Sequence, residues 1–254
     1  MKPISKNRLE ELLPAMFGKR VLVVGDIYLY EYIWGRMTEI STEAPVPVVH
    51  VYSRSYAPGA AGNTAAGVAA LGGNAVLCGC IGDDANGSIL ADSLHAMGVD
   101  TTHLVTVPGA VTNTWTKISA RGLHSAPQEV LRTHTEPPGR IDAATEEAVA
   151  ARIKALAPQA DAIVLVDQLG SVVTRGIIDL VRELRAESSL MTVGDSRDNV
   201  RDMRGMDLIV PNDYEAGNAI NLALDSQAAI ERAGEMLLGC QNVQNVIITR
   251  GKDG

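Results

Sequence analysis

The chain has 254 residues, 46% hydrophobic and 20% charged, which suits a sizeable buried core and excludes a disordered polypeptide. Lysine and arginine number 22 against 30 aspartates and glutamates, and the net charge of -8 argues against a polyanion-binding surface, so no nucleic-acid partner is expected. No run of about twenty apolar residues occurs, so no membrane span is expected either.

Residues 1–17, MKPISKNRLEELLPAMF, lack an uninterrupted apolar core and read as a short amphipathic helix, not an export signal. Arg20 to Asp26 is an apolar β-branched run ending in Gly-Asp, the pattern of a buried parallel strand that delivers a polar side chain at its carboxyl end. Residues 28–56 differ: they hold five of the six tyrosines and the alternating run from Val46 to Tyr52. Pro45 and Pro47 exclude an interior strand, so this is an edge strand or small β excursion from the main body.

Ala57 to Gly73, APGAAGNTAAGVAALGG, combines a Pro-Gly turn with small residues and one amide, Asn63. Such a stretch serves either tight packing of a helix against a sheet or the close approach of a ligand to a helix's first turn. A strand over 74–81 and a helix over 85–97 follow, then three β-like runs near 102–106, 112–119 and 128–134, of which only one need join the main sheet. Cys78 and Cys80 would share a face of the 74–81 strand. With Cys240 they form no metal pattern and cannot all pair, as expected of thiols in a reduced, cytoplasmic setting.

From Asp142 onward the rhythm is βα alternation: helices over 142–156 and 173–187, strands over 162–167, 191–195 and 207–210, two helices within 213–239, and a strand over 245–249. The pattern implies an α/β fold with a mostly parallel sheet covered on both faces. Because the last buried-type strand runs directly into Arg250–Gly254, the natural fold is expected to continue beyond it.

Asp26, Asp167 and Asp195 each end a strand, where an aspartate alone is an ordinary cap, but together they line one sheet edge. Asn212 and Glu215 make a helix capping box or hold a hydrated Mg²⁺ through water, and the residues leave both readings open. Thr249 and Gly251 form a small polar turn at the end of the last strand. Gly-x-Ser-x-Gly is absent, which argues against an α/β-hydrolase nucleophile.

The order of motifs resembles the PfkB, or ribokinase-like, carbohydrate kinases over nearly the whole chain. It comprises Gly25-Asp26, Glu43-Ala44-Pro45-Val46-Pro47-Val48-Val49, Pro58-Gly59-Ala60-Ala61-Gly62-Asn63, Gly82-Asp83-Asp84, Asp195-Ser196-Arg197, Pro211-Asn212-Asp213-Tyr214-Glu215 and Thr249-Arg250-Gly251. The EAPVPVV run is most similar to the heptose-7-phosphate kinase branch. The resemblance implies a single three-layer α/β/α sandwich over 1–254, lacking its C-terminal part. A small β lid would comprise about 28–57 plus β runs within about 102–134.

It also implies ATP and Mg²⁺ as cofactors, a sugar or sugar-phosphate substrate, and a surface for a lid-mediated homodimer. By position, Asp26, Gly59, Ala60 and Asn63 would line the sugar site, with Arg132 near a substrate phosphate. Asp195, Asn212 and Glu215 would organise Mg²⁺ and the phosphates, Glu215 through water, and Thr249 and Gly251 would border ATP.

Three departures qualify this. Tyr30 stands where the family carries a second aspartate, and Ala60 replaces the second glycine of a Gly-Gly pair. The signature Asp-Thr-x-Gly-Ala-Gly-Asp, which carries the general base, does not occur, so the base is expected beyond Gly254 and activity is expected to be impaired. The competing expectations are a non-catalytic sugar- or nucleotide-binding protein and a nucleoside kinase of the same fold.

Overall fold

A computed structural model describes residues 4–122, 125–136, 139–168 and 171–254. The first three residues of the amphipathic N-terminal stretch lie outside it. Helix α1 (Lys6–Met16) precedes β1 (Arg20–Gly25), and β2 (Ile27–Ile40) and β3 (Pro47–Ala60) then form a long antiparallel pair. They are followed by α2 (Ala61–Ala70), β4 (Asn74–Cys78), β5 (Cys80–Gly82), α3 (Ala85–Ala96) and β6 (Val105–Val107). A second antiparallel pair, β7 (Thr114–Arg121) and β8 (Gln128–Thr135), leads to α4 (Ala143–Leu156) and β9 (Ala162–Asp167). The chain closes with α5 (Arg175–Glu187), β10 (Met191–Ser196), β11 (Leu208–Ile209), α6 (Asp213–Ile220), α7 (Gln227–Gln241) and β12 (Asn245–Val246).

The main sheet has the order β12-β11-β10-β9-β1-β4, with every pair parallel. Alternation along β1 explains the layers: Leu22 and Val24 pack into one apolar cluster with α4 and α5, whereas Val23 packs into another with α2 and α3. Helix starts follow side-chain caps, with Asp84, Asp142, Thr174, Asn212 and Ser226 each accepting a backbone N–H of the first turn. None of the helices among the described residues is long and apolar enough to cross a membrane.

A second sheet, ordered β3-β2-β7-β8, leaves the main body directly after Asp26. Its placement corrects two expectations. None of the three runs between 102 and 134 joins the main sheet: β7 and β8 complete the second sheet, and β6 pairs with β5. The strand expected over 74–81 is also two strands, so Cys78 and Cys80 lie in different sheets. It breaks at Gly79, where an added Cβ would meet the Gly25 carbonyl oxygen at 2.5 Å and Ile27 Cδ1 at 2.8 Å, so only glycine lets the chain pass the root of β2.

The final strand is shorter than expected. Only Asn245–Val246 form ladder, although Ile247 N and Thr249 N still donate to Ile209 and Pro211 carbonyls, and Thr249 bridges to Asn212.

Candidate functional site

From β1 the chain moves outward to β4, returns past β1 to β9, and continues through β10, β11 and β12. Ligands of open α/β sheets bind outside the carboxyl ends of the strands at such a reversal. Asp26 and Asp167 stand at the ends of the two diverging strands, and both are 1% exposed. The Asp26 carboxylate accepts hydrogen bonds from Gln168 N at 2.9 Å, Ser171 Oγ at 2.5 Å and Val172 N at 2.9 Å. Its carbonyl accepts from Ala61 N at 2.9 Å, which ties the start of α2 to the same point. Asp167 accepts from Ser196 Oγ at 2.7 Å and Asn199 Nδ2 at 3.0 Å, so β9 and β10 are joined by side chains as well as by the ladder.

One strand further along, Asp195 is half-buried and its carboxyl is pushed up to about 6, by burial first and then by the negative charges of Glu215 and Asp167. Glu215 is raised as well; burial is the larger cause, opposed by the Asn212 backbone hydrogen bond and by the Arg197 guanidinium. Asn212 Oδ1 accepts from Glu215 N at 2.9 Å while Asn212 N donates to Glu215 Oε2 at 2.8 Å, so the capping box forms. That box orients Glu215 and occupies one of its oxygens. An acid raised by neighbouring carboxylates suits a hydrated divalent cation, which needs few protein ligands. Among the described residues, no three His, Cys, Asp or Glu side chains are grouped to ligate an ion directly. Asp213 N donates to the Thr249 carbonyl, and Gly251, at φ +54°, opens a turn with free space beside it.

The second sheet brings aromatic side chains together. Tyr28, Tyr30 and Tyr32 alternate along β2 and so share a face. Tyr28 stacks on Trp115 with ring centroids 5.2 Å apart, Trp115 stacks on His134 at 4.2 Å, and Tyr30 meets the Trp115 edge at 5.8 Å. Lys117 Nζ lies 5.0 Å from the Tyr30 ring centroid and 5.3 Å from that of Tyr32. Gly59 sits opposite Tyr28, and a Cβ there would collide with the Tyr30 ring, which therefore covers the Gly59 backbone. Ala60 adopts φ +49°, a left-handed conformation that strains any L-residue, and caps α2 without a side-chain bond.

Asn63 is exposed on α2, and Arg132 on β8 is held in a bidentate pair by Glu129 at 2.9 and 3.1 Å. The expected site residues therefore fall into an edge group, Asp26, Asp195, Asn212, Glu215, Thr249 and Gly251, and a sheet group, Gly59, Ala60 and Arg132, with Asn63 apart on α2. Sequence reasoning missed the Tyr28–Trp115–His134 stack and the capping of Asp26 by Gln168, Ser171 and Val172. The period-two tyrosines were the available signal for the first; nothing local announces the second. A cavity of about 210 Å³ lies against this region, lined by Ile27, Thr112, Asn113, Arg140, Ser171 and Val172 among others.

Residues 19–254 match the pfkB family carbohydrate kinase profile. The chain is 31% identical over 252 residues to a bifunctional protein HldE of Geobacter metallireducens, covering 99% of this chain and 50% of that protein. It is 36% identical over 253 residues to the HldE protein of Caulobacter vibrioides, covering 98% and 50%. The chain thus spans about half the length of the curated relatives it matches. Among solved structures, Arabidopsis thaliana ribokinase complexed with ribose and ATP aligns at TM-score 0.67 and 15% identity, over 94% of this chain and 74% of that one. Escherichia coli phosphofructokinase-2 in complex with fructose-6-phosphate aligns at 0.68 and 16%, over 94% and 76%. These two likenesses establish the ribokinase-like α/β/α fold.

Proposed function

The chain belongs to the pfkB family of carbohydrate kinases, and from that membership we propose that it takes part in phosphoryl transfer from ATP to a hydroxyl of a sugar phosphate of the heptose-7-phosphate type. The observation that carries this is the convergence, at the sheet's strand-order reversal, of Asp26, Asp167, Asp195 and Glu215 beside a polar turn at Thr249 and Gly251. Glu43 to Val49, EAPVPVV, and the likeness to HldE proteins support the heptose branch. When bound, ATP supplies the phosphoryl group and Mg²⁺ neutralises part of its charge.

The chain's own contribution is positioning. Asp195 and Glu215 hold the ion's waters, Asn212 orients Glu215, and Thr249 and Gly251 border the nucleotide. Asp26, Gly59, Ala60 and Asn63 face the sugar, and Arg132 a substrate phosphate. The 254 residues work as one domain in which the second sheet is a lid that excludes water. The outer edge of β3, with Val51, Tyr52 and Tyr56 exposed, supports a homodimer through that lid. The free thiols of Cys78, Cys80 and Cys240 support a cytoplasmic setting. Asp-Thr-x-Gly-Ala-Gly-Asp does not occur among the 254 residues, and the proposal assigns no general base to them.

A second reading, a non-catalytic sugar-binding protein, is favoured by one observation: the Tyr30 ring covers Gly59. A coupled ADP-release assay with fructose 6-phosphate, a heptose 7-phosphate and ribose separates the two. ADP release that depends on a sugar and on Mg²⁺ supports the kinase, and saturable sugar binding without ADP release supports the binding protein.

A further inference from the structure

None of the residues proposed for the sugar, the nucleotide or the ion lines the cavity of about 210 Å³, which makes it a separate feature of the molecule. It lies where the second sheet leaves the main body. Its walls are largely aliphatic: Ile27 at the start of β2, Ile81 on β5, Val107 on β6, Val111 before β7, Ile141 before α4, and Val172. Two hydroxyl groups among the lining residues are already bonded within the protein. Thr112 Oγ1 donates to Asp84 Oδ1 at 2.6 Å and accepts from Gly82 N at 3.0 Å, and Ser171 Oγ donates to Asp26 at 2.5 Å. The Asn113 amide oxygen is fully buried, and burial pushes the Cys80 thiol up to about 12, so that wall carries no charge.

Such a space does not favour water. An ordered water needs about two to four polar partners, and a recess of roughly 150 Å³ lined by Leu, Ile and Phe stays dry and takes up benzene. A cavity of about 210 Å³ with walls of the same kind admits a somewhat larger apolar body, which would restore dispersion contacts that the lining residues lack. The rim sets the charge. Gly139, Arg140 and Asp142 are exposed there. The Arg140 guanidinium makes no ion pair or hydrogen bond among the described residues, whereas Asp142 Oδ1 accepts from Thr145 N at 2.8 Å and caps α4. One unpaired cation beside one engaged carboxylate favours an anion of single charge over a phosphate dianion, which Asp142 repels more strongly.

We propose that this cavity is a binding site for a small monocarboxylate, with its branched aliphatic or aromatic body between Ile27, Ile81, Val107 and Val172 and its carboxylate on Arg140. The ligand class differs from that of the main site. A phosphorylated sugar or a nucleotide would bring at least two negative charges and several hydroxyl groups to a space that offers one free cation and mostly aliphatic walls.

Methyl NMR of the 254-residue chain, labelled at the isoleucine δ1 carbons, tests this with 4-methylpentanoate and phenylacetate as probes and 4-methylpentan-1-ol and phenyl phosphate as controls. The Ile27, Ile81 and Ile141 methyls are expected to shift saturably with either carboxylate, while those of Ile177 and Ile209, which do not line the cavity, stay in place. The alcohol and the phosphate should each bind about three- to tenfold more weakly than the matching carboxylate, and Arg140→Gln should weaken 4-methylpentanoate by a similar factor, the worth of one net hydrogen bond. Arg140 is exposed, and unmoved Ile177 and Ile209 methyl resonances in the variant would verify its fold. No saturable shift at Ile27, Ile81 and Ile141 with either carboxylate would overturn the site. Equal affinities for the alcohol and the carboxylate, or no effect of Arg140→Gln, would overturn the ligand class. Either failure leaves the kinase reading standing, because no residue assigned to it lines the cavity.

Discussion

Asp26 and Tyr28 are two residues apart and almost equally buried, at 1% and 2% exposed, yet their polar atoms are treated in opposite ways. The Asp26 carboxylate accepts from Gln168 N, Ser171 Oγ and Val172 N, whereas the Tyr28 hydroxyl has no partner among the described residues. The same contrast extends outward: at the carboxyl edge of the main sheet Asp167 accepts from Ser196 and Asn199, and Asn212 and Glu215 cap each other, whereas the Tyr28 face of the second sheet is aromatic packing with buried, unpaired polar atoms. Paired groups hold a shape in the absence of ligand. Unpaired buried atoms carry a cost in free energy.

The largest expected effect lies at the paired end. Asp26→Ala would strand the buried Val172 N–H, the part-buried Gln168 N–H and the Ser171 hydroxyl, and should lower unfolding stability by about 3 kcal/mol in urea titrations. A loss under about 1 kcal/mol would mean that Gln168, Ser171 and Val172 find other partners.

Asp195 gives the next effect, through pH. Its folded-state pKa of about 6 lies above the ordinary 3.8, so the folded chain favours the protonated form. The resulting stability is fully present below pH 3.8 and is lost as pH rises through about 6. Relative to Asp195→Asn, the native chain should lose about 2 kcal/mol across that window, a figure already reduced for partial exposure. Parallel curves for the two proteins would remove Asp195 from the group of mutually repelling acids.

Ala60→Gly should relieve the strained φ +49° and raise stability by about 1 kcal/mol, seen as a higher urea midpoint. A loss would show that the methyl group packs usefully at the start of α2. The smallest effect sharpens the contrast most. Tyr28→Phe, which removes a hydroxyl with no partner, should leave stability within about 0.5 kcal/mol of the native chain, whereas a marked loss would reveal a bond at Tyr28 Oη and erase the difference from Asp26.

The two regions were also unequally legible in the sequence. The main sheet could be read because every sign of it is local: β-branched runs such as Val21–Val24 and Ile163–Val166, side-chain caps at the starts of α3 to α7, and aspartates at or near the ends of β1, β9 and β10. The capping box at Asn212 and Glu215 was read the same way and forms. The second sheet depends on pairings that no local pattern specifies. Alternation shows that Tyr28, Tyr30 and Tyr32 share a face, but their neighbours Trp115 and His134 come from strands more than eighty residues later, in a register fixed only by the folded chain. The break at Gly79 was missed for a related reason: it is imposed by the approach of Gly25 and Ile27. The capping of Asp26 joins residues more than 140 positions apart and leaves no local trace.

The chain has only two tryptophans, which makes the central claim directly measurable. Trp115 lies opposite Tyr30 and beside Tyr28, while Trp34 lies four residues further along β2, roughly 13 Å away at strand spacing. In a ¹⁵N-labelled sample titrated with fructose 6-phosphate or a heptose 7-phosphate, the indole N–H resonance of Trp115 should move saturably, and that of Trp34 should stay in place. If neither resonance responds to any sugar phosphate while ATP still binds, the second sheet is no lid over a sugar site and the proposed acceptor class is contradicted.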